Sequence, residues 1–244
     1  MSDPTPILII GNSDGIGFAA TEQLLARGRS VIGLSRSASK IDHERYQHHV
    51  CDVTSAGFVP LLREILAAEP GLETVIHCAG VGSGFDPMDL SGEQTCFRTN
   101  LISVVDLAAE FIPKRVEKGR GHLVVLSSIA DGFVVADAPS YAASKAGLSQ
   151  YLRGLGLALK DQGVQITNLR FGFVDTKMAQ AAVKPFQIRR EKAGRIVLRA
   201  LEKRPSVWSR PRRAAALAAI LVGVQRVMLG LSRLLGRDRA KRRA

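Results

Sequence analysis

Tyr141 and Lys145 stand four residues apart in Tyr-Ala-Ala-Ser-Lys, a spacing that puts both side chains on one face of a helix about a turn apart. A phenol titrates near ~10, and an ammonium beside it stabilises the phenolate and draws that value toward working pH. Ser128 lies thirteen residues earlier, at the end of an apolar run, where its hydroxyl is placed to hydrogen-bond a substrate carbonyl. Asn100 falls inside a long helical stretch, where a side-chain amide is a poor helix former and calls for a reason. Each residue alone has a plain account: half-buried aromatic, surface charge, strand-end hydroxyl, helix irregularity. Together they form a candidate catalytic set.

A second set gathers near the N-terminus. Gly11, Gly15 and Gly17 follow an apolar run and open a helical pattern, with Asn12, Ser13 and Ile16 between them. Glycines at this spacing let a dinucleotide pyrophosphate approach the backbone and rest on helix N-terminal N–H groups, although an ordinary tight turn uses them as well. After the next apolar run come Ser35 and Arg36, with no carboxylate before Asp42. An NAD site needs an acid there for the ribose 2′-OH and an NADP site a cation for the 2′-phosphate, so the pair favours NADP(H) over a merely solvated arginine. Asp52 and Val53 close a third run, where the carboxylate either accepts from an adenine amino group or caps the following helix.

The elements that must hold these residues alternate. Strands are expected at residues 6–10, 31–34, 49–53, 74–77, 123–127 and 165–171, with helices at 18–26, 58–68, 92–118 and 140–162. Such alternation predicts an α/β fold, a doubly wound parallel sheet covered by helices. The chain of 244 residues, 46% hydrophobic and 23% charged, excludes disorder and fibrous repeats, and its length suffices for a core without disulfides or metal. Three cysteines, Cys51, Cys78 and Cys96, form no CxxC pair, as expected of a reducing cytoplasm. Asp3 and the absence of a basic segment before residues 7–10 argue against export.

In order and spacing, Gly11-Asn-Ser-Asp-Gly-Ile-Gly17, Asp52-Val53, Cys78-Ala79-Gly80, Asn100, Ser128, Tyr141-Ala-Ala-Ser-Lys145 and Phe171-Gly-Phe-Val-Asp-Thr176 resemble the short-chain dehydrogenase/reductase family over roughly residues 6–205. The resemblance implies a Rossmann fold with Tyr141 as general acid/base. Lys145 would hold the nicotinamide ribose and lower the Tyr141 pKa, Ser128 would orient the carbonyl, and Asn100 would anchor a water linking Lys145 to solvent. Gly172, Val174 and Thr176 would contact the nicotinamide end, and Ala79 and Gly80 would pack beside the adenosine ribose. Three departures stand out: Cys78 for the family's Asn, Phe171 for the Pro before Gly172, and Asp131 where a small residue is common. Members such as the ketoacyl-carrier-protein reductases finish on a glycine-rich interface strand, whereas here Ser206-Val-Trp-Ser209 leads to Pro211 and a basic helix.

That ending divides the chain into a nucleotide-binding domain, 1–208, and a tail, 209–244. Residues 185–244 hold 17 Lys and Arg against three acids, a net +14, while the rest carries −2. With aromatics only at Phe186 and Trp208 in this part, the charge does not predict a nucleic-acid partner. Leu217, Ile220, Leu221, Val224, Met228, Leu231, Leu234 and Leu235 recur at helical spacing opposite Arg226, Arg233 and Arg237. The run 214–224 is too short to span a bilayer, so the expected partner is an anionic membrane surface at the inner face, with a homodimer or core packing as the alternative. His43, His48, His49 and Cys51 share one short segment with no second ligand pair, which predicts exposed strand-edge residues and no metal. The expected activity is NADP(H)-dependent reduction of a carbonyl, apolar or lipid-like, to an alcohol; a cofactor-binding scaffold and a nucleic-acid binder are the rivals.

Overall fold

Strand β1, Ile7–Ile10, is four consecutive buried apolar residues, the composition of a parallel strand covered on both faces. Its side chains alternate between two cores: Ile7 and Ile9 join one cluster, Leu8 and Ile10 the other. The computed structural model describes residues 5–178 and 184–241, with side chains to Gly230. Asp3, residues 179–183, the side chains of Leu231, Arg233, Leu234, Leu235 and Arg237, and the final residues 242–244 lie outside the described residues.

The first core is closed by α2 (Phe58–Ala68), α4 (Ser103–Glu117) and α5 (Pro139–Ala158). The second is closed by α1 (Gly15–Leu25) and α6 (Arg190–Lys203). Between them lie β1, β2 (Val31–Ser35), β3 (Tyr46–Val50), β4 (Thr74–His77), β5 (Gly121–Ser128), β6 (Val164–Phe171) and β9 (Val207–Arg210). All pair in parallel, in the order β3-β2-β1-β4-β5-β6-β9. This is the doubly wound Rossmann arrangement, with its order reversing between β1 and β4, so a crevice opens there beyond the strand ends. β7 (Val174–Asp175) and β8 (Ile188–Arg189) make a separate two-stranded ladder.

Four elements differ from expectation. β3 stops at Val50, because its ladder with β2 closes at Ser35 and Val50; Asp52 and Val53 lie just past it in the turn into α2, where Ser55 N donates to Asp52 O at 3.0 Å. The helix expected over 92–118 is broken into α3 (Ser91–Phe97), a five-residue π turn (Arg98–Ile102) and α4. The segment at Ser206 is the seventh sheet strand, and it runs to Arg210, two residues past the expected end of the body. Finally α7, Arg212–Lys241, contains a stretch, Arg212–Gly230, with mean hydropathy 1.5 that by length and composition suffices to cross a membrane. The uninterrupted run 214–224 is as short as expected, but the apolar character continues past Gln225 and Arg226 to Gly230, with Arg212 and Arg213 at the start of the stretch.

Candidate active site

The residues singled out at strand ends gather along the carboxyl ends of the parallel strands. The glycine turn follows β1, Ser35 and Arg36 end β2, Asp52 and Val53 follow β3, Ala79 and Gly80 follow β4, Ser128 ends β5, and the 172–176 segment follows β6.

The turn after β1 is shaped for something that needs bare backbone. Gly11 has φ 83° and a Cβ on it would lie 2.4 Å from Ala79 N; one on Gly17 would lie 2.3 Å from Gly11 O. No other residue type fits either place. Asp14 caps α1, its Oδ1 accepting from Gly15 N at 2.7 Å, and ion-pairs with Lys177 Nζ at 2.9 Å and Arg190 at 3.6 Å. The Lys177 bond is the main reason its carboxyl titrates below the usual range. Thr176 packs over Gly15, its Cγ2 3.2 Å from where a Cβ would be. The cradle thus offers bare backbone at a helix N-terminus, with no side-chain bulk at Gly11 and Gly17 and with Lys177 and Arg190 held nearby by Asp14, a setting suited to a dinucleotide pyrophosphate.

Other members of this set divide. Arg36 is exposed and makes no ion pair among the described residues, so its guanidinium is free at the β2 end. Asn12, by contrast, is buried: its Nδ2 reaches away from the crevice to Tyr46 OH at 2.8 Å and Thr21 Oγ1 at 3.3 Å, leaving only backbone at the turn. Ser35 is buried too and donates to Ser37 O at 2.9 Å. Asp52 Oδ1 accepts from Thr54 N and Thr54 Oγ1, both at 2.8 Å, which closes the turn after β3; the expected cap on the next helix is not formed, since α2 starts at Phe58 with Gly57 as its N-cap and no side-chain cap. His48 is no free strand-edge residue, since Tyr46 OH lies 2.8 Å from its Nδ1 and Ser37 O 3.0 Å from its Nε2.

The catalytic candidates meet beyond β4 and β5. The π turn places Asn100 where its Oδ1 accepts from Val81 N and its Nδ2 donates to Val81 O, both at 2.9 Å, and to Ser144 Oγ at 3.0 Å. A side-chain amide that pairs with a backbone in this way explains the helix irregularity. Gly80 fits between Asn100 and Lys145: a Cβ there would be 3.3 Å from Asn100 Oδ1 and 3.5 Å from Lys145 Nζ. Lys145 is buried, its Nζ donating to Leu126 O at 3.2 Å, and burial lowers its pKa to about 8.

Tyr141 lies on the same face of α5 and its pKa is raised, by burial first, against a lowering hydrogen bond from Ser128. The lowering by Lys145 expected from the spacing is absent from this geometry, because the ammonium is turned to the Leu126 carbonyl. Asp131 adds to the upward shift. It sits in the 3-10 turn Ile129–Gly132, where Ser128 Oγ accepts from Ala130 N at 3.1 Å, and its carboxylate pairs with Arg170 and accepts from Ser149 Oγ. Cys78, the departure from the family's Asn, is a half-buried free cysteine whose thiol is pushed up to about 12 by burial.

Residues 5–186 match the family model of the short chain dehydrogenases. The chain belongs to the short-chain dehydrogenase/reductase family. It is 30% identical over 183 residues to an uncharacterised oxidoreductase from Myxococcus xanthus, covering 70% of this chain and 72% of that protein. Against a 3-oxoacyl-(acyl-carrier-protein) reductase from Salmonella typhimurium it is 27% identical over 183 residues, 71% of this chain and 75% of the other. A short-chain dehydrogenase from Burkholderia cenocepacia, solved in complex with NADP, superposes with a TM-score of 0.81 at 20% identity over 93% of this chain and 96% of that one. One from Streptomyces avermitilis gives 0.80 at 20% identity, over 97% and 99%. As a short-chain dehydrogenase the chain is an oxidoreductase of C=O and CH–OH groups that uses a nicotinamide dinucleotide.

Four contributors escaped the sequence: Asp14, Lys177 and Arg190 around the cradle, and Gln225, which reaches from α7 to Val134 beside the site. Only Asp14 left a local signal, as an N-cap acid just before a helix start.

Proposed function

We propose that this dehydrogenase reduces a carbonyl to an alcohol with NADPH, and that Tyr141, Ser128, Lys145 and Asn100 carry the chemistry. The observation that carries this is the convergence of half-buried Tyr141, strand-end Ser128 and buried Lys145 and Asn100 beyond β4 and β5, next to the dinucleotide crevice. Bound NADPH supplies the hydride that the carbonyl carbon accepts. Ser128 holds the carbonyl oxygen, and Tyr141 gives that oxygen its phenolic proton as the new O–H forms. Burial keeps the phenol in its neutral form, the one a reduction needs. The ammonium of Lys145 stabilises the phenolate left behind, swinging from Leu126 O toward the nicotinamide ribose, and Asn100 fixes the Val81 backbone beside it.

NADPH is preferred because Arg36 stands free at the β2 end and no carboxylate stands in its place. Titrating protein fluorescence with NADPH and NADH tests this, followed by turnover on a carbonyl panel. Arg36→Ala should weaken NADPH at least about tenfold more than NADH, since only NADPH carries the 2′-phosphate. Equal losses would remove Arg36 from the site, and cofactor binding with no turnover on any carbonyl would favour the scaffold reading.

The second part of the proposal is a place of work: the inner face of an anionic membrane, reached through α7. On α7 the small residues Ala214 and Ala218 are buried against the body, while Leu217, Ile220, Leu221, Val224, Val227 and Met228 point to solvent, from 38% to 65% exposed. This outward row leaves lipid or a second copy as its cover. Two copies meeting there would bring two +14 segments together, whereas an anionic surface attracts both the charge and the apolar row. The helix lies along the body, so it docks on the membrane rather than spanning it.

A further inference from the structure

Between Ser128 and Tyr141 the chain makes its 3-10 turn and then a loop, 133–138, that turns at 136–137 into α5. One distant side chain grips that loop. Gln225 of α7 donates from Nε2 to Val134 O at 2.7 Å and accepts at Oε1 from Val134 N at 2.9 Å, across 91 residues of sequence. Both backbone groups of one residue are thereby taken by one amide, as a neighbouring strand would take them. A turn earlier, Val222 packs on the same stretch: a Cβ at Gly132 would be 2.9 Å from Val222 Cγ2. Two turns further back Ala214 reaches the other side of the site, 3.2 Å from where a Cβ on Gly172 would stand, with Ile129 Cδ1 3.4 Å from the same point.

So α7 follows the substrate side of the catalytic centre from Gly172 to Val134, and its large apolar residues face away from it. Val134 itself is 66% exposed, an apolar side chain at the rim beside the helix. A force on the outward face of α7 reaches the Ser128–Tyr141 loop through Gln225 and Val222, with no other element between.

We propose that α7 couples a docked anionic lipid surface to the substrate loop, with Gln225 as the positioning residue. This rests on the membrane docking proposed above. Docking fixes α7, the fixed helix holds Val134 through the paired hydrogen bonds, and the loop that leads from the turn after Ser128 to Tyr141 settles at the lipid face. Without lipid, the two exposed bonds open readily and the loop moves on its own.

The test uses the full chain with NADPH bound, mixed phosphatidylglycerol and phosphatidylcholine vesicles, and pure phosphatidylcholine as the neutral control. Co-sedimentation reads docking, and amide hydrogen exchange over 129–138 reads the loop. In the wild type, anionic vesicles should pellet the protein and slow exchange at 132–136 by roughly fivefold or more, the scale set by one retained hydrogen bond. Gln225→Ala should still pellet and still bind NADPH, yet lose that slowing. Docking without any change at 129–138 in the wild type, or an equal change in both proteins, overturns the coupling and leaves the membrane reading standing. No docking by the wild type overturns both, and a dimeric mass in solution would then assign the outward face to a second copy.

Discussion

Helices α1 and α7 both follow a sharp turn after a parallel strand and both carry glycines, but their glycines are held to different standards. In α1 and the turn before it, the protein's own backbone fills the space: Ala79 N blocks a side chain at Gly11, and Gly11 O blocks one at Gly17. In α7 a Cβ on Gly223 or Gly230 would meet nothing within 4 Å. The first region is determined from inside, by close approach, and what it leaves bare is a ligand's share. The second is determined from inside only along the line of Ala214, Ala218, Val222 and Gln225. Its remaining surface has a shape and charge that nothing in the described chain requires.

The contrast can be broken or sharpened by substitution. The largest effect is expected where both constraint and chemistry meet: Tyr141→Phe should lower turnover of any confirmed carbonyl by about 10²–10⁴-fold while NADPH affinity stays nearly unchanged, because only the proton donor is lost. Steady-state kinetics beside a fluorescence titration reads both, and retention of most activity would release Tyr141 from the acid's role. Gly11→Ala should cost about 2–4 kcal/mol of stability, from the overlap at Ala79 and the positive φ together, and should abolish dinucleotide binding. Denaturant melts measure it; a neutral outcome would mean that the β1–α1 turn is not fixed from inside.

A smaller effect comes from the buried imidazoles of the sheet. His122, bonded to Thr167 Oγ1 at 2.9 Å, is pushed by burial down to about 4, and His77, 3.0 Å from Ser103 Oγ, down to about 3. Their folded pKa values lie below the unfolded value near ~6.5, so the folded state refuses protons that the unfolded chain accepts. Stability should hold above pH ~6.5 and fall as pH drops toward 4. His122→Gln should remove about 2 kcal/mol of that fall; an unchanged acid slope would show the imidazole to be solvated. The smallest effect belongs to α7, where Gly223→Ala should add about 0.5–1 kcal/mol of helix stability, read as a higher melting temperature and stronger helical circular dichroism. Destabilisation there would show that some partner approaches the helix at that point.

The same contrast explains what the sequence disclosed. Tyr141 with Lys145, and Gly11 with Gly15 and Gly17, act through short spacings on a single helix or turn, so residue type and interval announce them. The parallel sheet covered by helices was legible for a related reason, since continuous apolar runs such as residues 7–10 and 123–126 are those of strands buried on both faces. The pairing of Asp14 with Lys177, and of Gln225 with Val134, joins segments that meet only after folding, so no local pattern marks either pairing, although Asp14 alone is legible as an N-cap acid. The upward direction of the Tyr141 shift was not legible for a physical reason: spacing along α5 sets the ammonium and the phenol on one face, but burial raises the phenol while Leu126 O takes the Nζ. Likewise β3 was placed late because its apolar end, Val50 to Val53, was more conspicuous than Tyr46 and His48, which hold the strand to Asn12 and Ser35 through polar atoms.

The position of β9 bears on how the chain is made. Synthesis proceeds from the N-terminus, so β6 emerges well before the strand that will cover its edge, and nearly forty residues separate Asn168 from its partner Val207. During that interval an eight-residue strand shows unpaired N–H and C=O groups, a template for pairing with another nascent chain. Arg170, whose guanidinium later bonds Ser209 Oγ at 3.1 Å, sits on that waiting edge as a charge that discourages mispairing until β9 arrives.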